Sequence, residues 1–176
     1  LVARMLPGSD PVHRVSIIPR GPALGYTLQL PIEDKYLTSK TEILNKLSIL
    51  LGGRAAEELT FNEVTTGAHD DLAKVSNYAQ KMVMEFGMSE KIGPLSLRKD
   101  ESEVFLGRDI MRQPAYSNET AKNVDDEVKR IVQECFEKTK GILTANKKFL
   151  DAIAAVLLEK EVIYAAEMDV IVKGEA

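Results

Sequence analysis

A chain of 176 residues suits one domain, and its 44% hydrophobic and 28% charged side chains can build a real core. The net charge of −4 argues against nucleic acid as the main partner, because phosphate contacts need a basic surface. The single cysteine, Cys135, excludes an internal disulfide. Apolar runs such as 48–53 and 152–158 fall far short of the ~18–20 residues that span a bilayer.

Residues 1–6, LVARML, read as the final turns of a helix stopped by Pro7-Gly8. Leu rather than Met at position 1 leads us to expect further chain upstream. Alternation over 12–18 and 26–30, with the turn-rich PRGPALG between, predicts a β-hairpin or a pair of neighbouring strands across 12–30. The remainder is helical, so the expected class is mainly α with a small sheet near the N-terminus. Thr38 or Ser39 caps a predicted helix over 40–59 whose apolar face carries Ile43, Leu47, Leu51 and Ala55. Gly52-Gly53 lies inside it at up to ~1 kcal/mol per glycine, which suggests a closely approaching backbone or a kink.

A second helix is expected over 69–86, with Leu72, Val75, Ala79, Met82, Val83 and Phe86 on one face and Gly87 at its end. Residues 87–116 read as a long loop. Ser117 or Asn118 then caps a long amphipathic helix with Val124, Val128, Ile131 and Cys135 in its stripe, and Gly141 and Asn146 mark breaks. A second helix through Leu157 and a third over 165–172 complete a C-terminal bundle. The expected division is 1–116 for the core and 117–176 for the bundle.

His69, Asp70 and Asp71 crowd the start of the 69–86 helix. Acids there are stabilised by the helix macrodipole by ~0.3–1 kcal/mol, or accept hydrogen bonds from the free N–H groups. The other reading is that one aspartate ligates a metal, kept ionised by the same helix end. One carboxylate is not a zinc site, which takes three protein ligands in a catalytic centre. The two histidines, His13 and His69, do not complete one: His13 suits a half-buried strand position, and His69 shares no helical face with Asp71. Glu57 and Glu58 are either solvated or turned inward to support a ligand. RGPALG lacks the lysine of a phosphate loop.

Long segments, in order, then carry a resemblance: DPVHRVSIIPRGPALGYTLQLPIEDKY, LLGGRAAEEL, EVTTGAHDDL, EFGMSEKIGPL, EVFLG and LLEKEVI. Together they resemble the peptidase domain of the FtsH family, the membrane-tethered, ATP-dependent zinc metalloproteases of bacteria and organelles. The resemblance runs from about residue 1 to 172. It implies a zincin-related helical peptidase domain with one Zn2+ per subunit, whose third ligand is the aspartate matching Asp71. It also implies that an edge strand beside the metal, here ALGYTLQL with Gly25, Tyr26 and Thr27, pairs with extended substrate. Glu57 and Glu58 are the candidates for supporting the ligands.

The departure from the family is that no His-Glu-x-x-His occurs in the 176 residues. That motif holds two zinc ligands one helical turn apart and the glutamate that serves as general base. The family pattern places it immediately ahead of Leu1, so this chain lacks those groups and no catalytic residue is expected within it. The resemblance further implies an upstream ATPase domain that consumes ATP, a homo-hexameric ring, and unfolded or membrane-protein substrates. It sets the whole protein at the cytoplasmic face of a bacterial inner membrane, or the organellar equivalent, with this piece soluble. Two rival expectations stand beside it: a non-catalytic helical scaffold module of such a ring, and a helical interaction domain whose acids only cap a helix.

Overall fold

Two strands of the expected hairpin, β1 (Val12–Ser16) and β2 (Tyr26–Gln29), pair antiparallel, with Ser16 opposite Tyr26 and Val15 opposite Thr27. The register slips between Val12 and Arg14, a bulge that leaves His13 exposed rather than half-buried. A third strand, β3 (Val162–Tyr164), pairs antiparallel on the other side of β1, giving the order β2-β1-β3. The computed structural model describes residues 1–19, 21, 25–31, 37–97 and 116–173. The charged run at 98–103 and the EVFLG motif lie outside them.

Helices make up most of the rest. The N-terminal turn α1 (Val2–Met5) is stopped as expected at Pro7-Gly8. Ser39 caps α2 (Lys40–Leu50): its hydroxyl accepts from Glu42 N at 3.2 Å, and Glu42 Oε2 accepts from Ser39 N at 2.8 Å. This reciprocal pair satisfies two end N–H groups at once. The expected single helix over 40–59 is instead two, α2 and α3 (Gly52–Phe61), which meet at Leu51. Leu51 N bonds Leu47 O and Ala55 N bonds Leu51 O, both at 3.0 Å, so the joint is a kink with its main-chain bonds intact. The close neighbour is a side chain rather than a backbone: a Cβ on Gly52 would sit 3.3 Å from Val2 Cγ2.

After a 3-10 turn at Thr66–Ala68, α4 runs from His69 to Met84. Its buried face is Val75, Ala79, Met82 and Val83, whereas Leu72 and Phe86, expected on that face, are exposed. The long helix α5 (Asn118–Ala145) is capped by Ser117 and passes through Gly141 without a break. Its joint with α6 (Lys147–Lys160) falls at Asn146, and α7 (Ala165–Lys173) follows β3.

The main core is built from α2, α4 and α5, through Ile43, Leu47, Val75, Met82, Ile131 and Cys135. Each fully buried side chain of that size is worth about 1.5–3 kcal/mol. A second cluster joins β1 and β3 to α6 and α7 through Val12, Ile153, Leu157, Ile163 and Met168. A third ties α1 to α3 and α5 through Val2, Leu6, Ala55 and Leu143. Polar links then fix α1: Asn45 Nδ2 donates to Pro7 O at 3.0 Å, and Arg4 reaches Ala165 O at 3.1 Å and Asp169 at 2.8 Å. The start of the chain is thereby held between α2 and α7.

Candidate metal and substrate cleft

A cleft of about 650 Å³ opens where α1, the β1–β2 hairpin, the α2–α3 kink and the first turns of α4 converge. Its wall collects Leu1, Gly25, Tyr26, Thr27, Asp71 and Lys74 around a mainly apolar floor from α5 and α6. Residues 70 positions apart in sequence are thus brought to one cavity. Glu57 and Glu58 do not line it.

Asp71 sits in the first turn of α4 and is half-exposed, with Oδ1 3.4 Å from Lys74 Nζ. No side chain caps α4, so neither Asp70 nor Asp71 accepts a capping hydrogen bond there; the N-cap residue is Ala68. The macrodipole remains as the structural benefit of these acids. His69 and Asp70 are exposed. Zinc takes three protein donors or more. Among the described residues no group of three His, Cys, Asp or Glu side chains is gathered. The described residues therefore offer at most one ligand, the Asp71 carboxylate on the cleft that Leu1 also lines, and not a complete site.

The turn that launches α4 is pinned from α3. Glu57 Oε1 accepts from Thr65 Oγ1 at 2.8 Å and Oε2 from Thr65 N at 3.1 Å, while Thr65 Oγ1 accepts from Gly67 N at 3.2 Å. The carboxylate so holds Thr65, and through its hydroxyl Gly67, just ahead of α4. Glu58 faces elsewhere: its Oε1 accepts from Lys140 Nζ on α5 at 2.7 Å.

β2, whose Tyr26, Thr27 and Gln29 also line the cavity, is an outer strand of the sheet among the described residues. A Cβ at Gly25 would lie 2.7 Å from Ser16 O, so only glycine lets β2 start this close to β1. The Arg14 guanidinium stacks over the Tyr26 ring at 5.2 Å, which holds that side chain to the sheet. Cys135, which does not line the cleft, is buried, and burial pushes its thiol pKa up. Lys74 is the cleft residue that periodicity does not single out; its spacing of three from Asp71 on a helix was the available signal.

Peptidase family M41 matches residues 1–171. Over 175 residues the chain is 56% identical to an ATP-dependent zinc metalloprotease FtsH of Endomicrobium trichonymphae, covering 99% of this chain and 28% of that protein. It is 53% identical to the protein of the same name from Pseudothermotoga lettingae over 99% of this chain and 28% of the relative. For that of Thermotoga maritima the figures are 52%, 99% and 29%. The chain thus spans less than a third of the curated relatives it matches. With the match running nearly end to end, the chain belongs to peptidase family M41 and corresponds to the peptidase domain of the FtsH proteins.

Proposed function

We propose that this chain is the peptidase module of an ATP-dependent zinc endopeptidase. The observation that carries the reading is the shared cleft: the Asp71 carboxylate, the outer strand at Gly25–Thr27 and the entry of the chain at Leu1 face one cavity. Asp71, in the first turn of a 16-residue helix, is one zinc ligand. The other two ligands and the general base come from a His-Glu-x-x-His segment ahead of Leu1 in the whole protein. When bound, the metal supplies Lewis-acid activation of water and of the substrate carbonyl.

The residues of this chain orient and bind. Glu57 fixes the turn before α4, and so the position of Asp71. β2, the outer strand of the sheet among the described residues, pairs with an extended peptide main chain, which demands little of its sequence. In the whole protein an upstream ATPase domain feeds unfolded or membrane proteins into a homo-hexameric ring, tethered at the cytoplasmic face of the membrane. The relatives' name, ATP-dependent zinc metalloprotease, supports this reading.

The test is degradation of casein with ATP. The full-length protein digests it, a chelator stops digestion and added zinc restores it, while the 176-residue chain alone is inactive. Digestion that a chelator leaves untouched contradicts the zinc reading. Robust, chelator-sensitive digestion by the isolated chain contradicts the assignment of the missing ligands. A full-length protein that binds no zinc yet assembles into rings would favour a scaffold module instead.

A further inference from the structure

Lys74 has no part in the reading above, yet it occupies the same cleft. Among the described residues that line the cavity, Asp71 and Lys74 are the two with charged side chains; the remainder are apolar or neutral. Their separation of 3.4 Å, with the lysine more than half exposed, makes a weak pair rather than a locked one. Lys74 lies three residues beyond Asp71 on α4 and lines the same cavity as Gly25, Tyr26 and Thr27 of the outer strand. The apolar floor offers a charge there little compensation from other side chains.

We propose that Lys74 is a specificity-determining residue that favours peptides carrying an acidic side chain near the cleaved bond and disfavours basic ones. The inference rests on the peptidase reading: once Asp71 is engaged as a ligand, its charge no longer offsets the ammonium. Among the described residues that line the cavity, Lys74 is then the charged side chain left to act on an extended peptide at β2. A single charge pair at roughly 4 Å in a water-like medium changes affinity about fivefold. The preference weakens with added salt, since the cation is exposed.

The experiment uses the full-length protein, with wild type, Lys74→Gln and Lys74→Glu compared. Substrates are three end-blocked peptides identical but for Glu, Gln or Lys beside the cleaved bond. The readout is the ratio of kcat/KM for the Glu peptide to that for the Lys peptide within each protein, which cancels any general loss of activity. A parallel arm measures binding by fluorescence anisotropy with the same peptides made uncleavable by a D-residue at the bond. Wild type should favour Glu over Lys by about fivefold or more, Lys74→Gln should bring the ratio near one, and Lys74→Glu should invert it. A ratio that is the same in all three proteins, in either arm, overturns the proposal and leaves Lys74 as an ordinary helix pair for Asp71. Absence of cleavage by wild type would instead count against the peptidase reading, and the binding arm would still decide the role of Lys74.

Discussion

Glu57 and Glu58 are adjacent acids on α3, and their environments assign them different work. Glu57 accepts two hydrogen bonds from Thr65 and so shapes the turn that presents Asp71. Glu58 forms an ion pair with Lys140, with both side chains about a third exposed. Groups that orient a metal ligand typically change affinity by about 10–100-fold when removed. Partly exposed pairs are worth about 0–1 kcal/mol. Glu57→Ala should therefore weaken zinc binding by the full-length protein about tenfold or more, while Glu58→Ala leaves it nearly unchanged. Competitive zinc titration against a chromogenic chelator reads both; equal losses would remove Glu57 from its positioning role. Sequence alone named the two residues together, because a pattern of acids on a helix does not say which carboxylate meets the next turn.

At the scale of elements, the segment after α4 is held to α5 by a buried carboxylate. Glu127 is 1% exposed, and accepts from Arg130 Nε at 2.8 Å, Arg130 Nη2 at 2.9 Å and Ser89 Oγ at 2.8 Å. Ser89 Oγ in turn accepts from Ile92 N at 3.1 Å. Hydrogen bonds from Arg130 foremost, joined by that from Ser89, outweigh burial and bring the Glu127 pKa down to about 2. A carboxyl whose folded pKa is depressed adds stability above its unfolded pKa, near 4.3, and loses it as pH falls toward the folded value. Glu127→Gln should cost about 1–3 kcal/mol in urea unfolding at pH 7. The gap from wild type should narrow steadily between about pH 4 and pH 2. A gap independent of pH would mean that Glu127 acts through shape alone.

Much of the element plan was legible, and the misses have physical causes. The Ser39 and Ser117 caps, the 12–30 hairpin and the stop at Asn146 follow from local chemistry, which tertiary packing reinforced. Gly52-Gly53 pointed to a kink or a close backbone approach without deciding between them, because the apolar face continues across the joint and Val2, the actual neighbour, lies 49 residues from Leu51 in sequence. β3 is three residues long, too short for alternation to register. Glu127 and Thr139 escaped notice for being polar, although both fall on the buried side of α5. Thr139 belongs there because its hydroxyl is shared between Cys135 O at 2.7 Å and Ser48 O at 3.0 Å.

For the whole molecule, three apolar clusters hold the parts of the cleft in place. α5 serves more than one of them: Ile131 and Cys135 complete the core with α2 and α4, and Leu143 meets Val2 and Ala55. The first helix of the expected C-terminal bundle is thus built into the packing of the preceding helices. The cleft draws its walls from α1, the sheet, the α2–α3 kink and α4, so no single stretch of sequence displays it. The resemblance identified Asp71 and the strand at Gly25–Thr27 separately; the fold puts them on one cavity. In the proposed function Asp71 holds a metal. Zinc content of the purified full-length protein, wild type against Asp71→Ala, tests it most directly. About one zinc per subunit is expected in the wild type and well under half of that in the variant, because a catalytic zinc loses one of only three protein ligands. A variant that still carries a full complement of zinc would contradict it, and would leave Asp71 as an acid that merely suits the end of a helix.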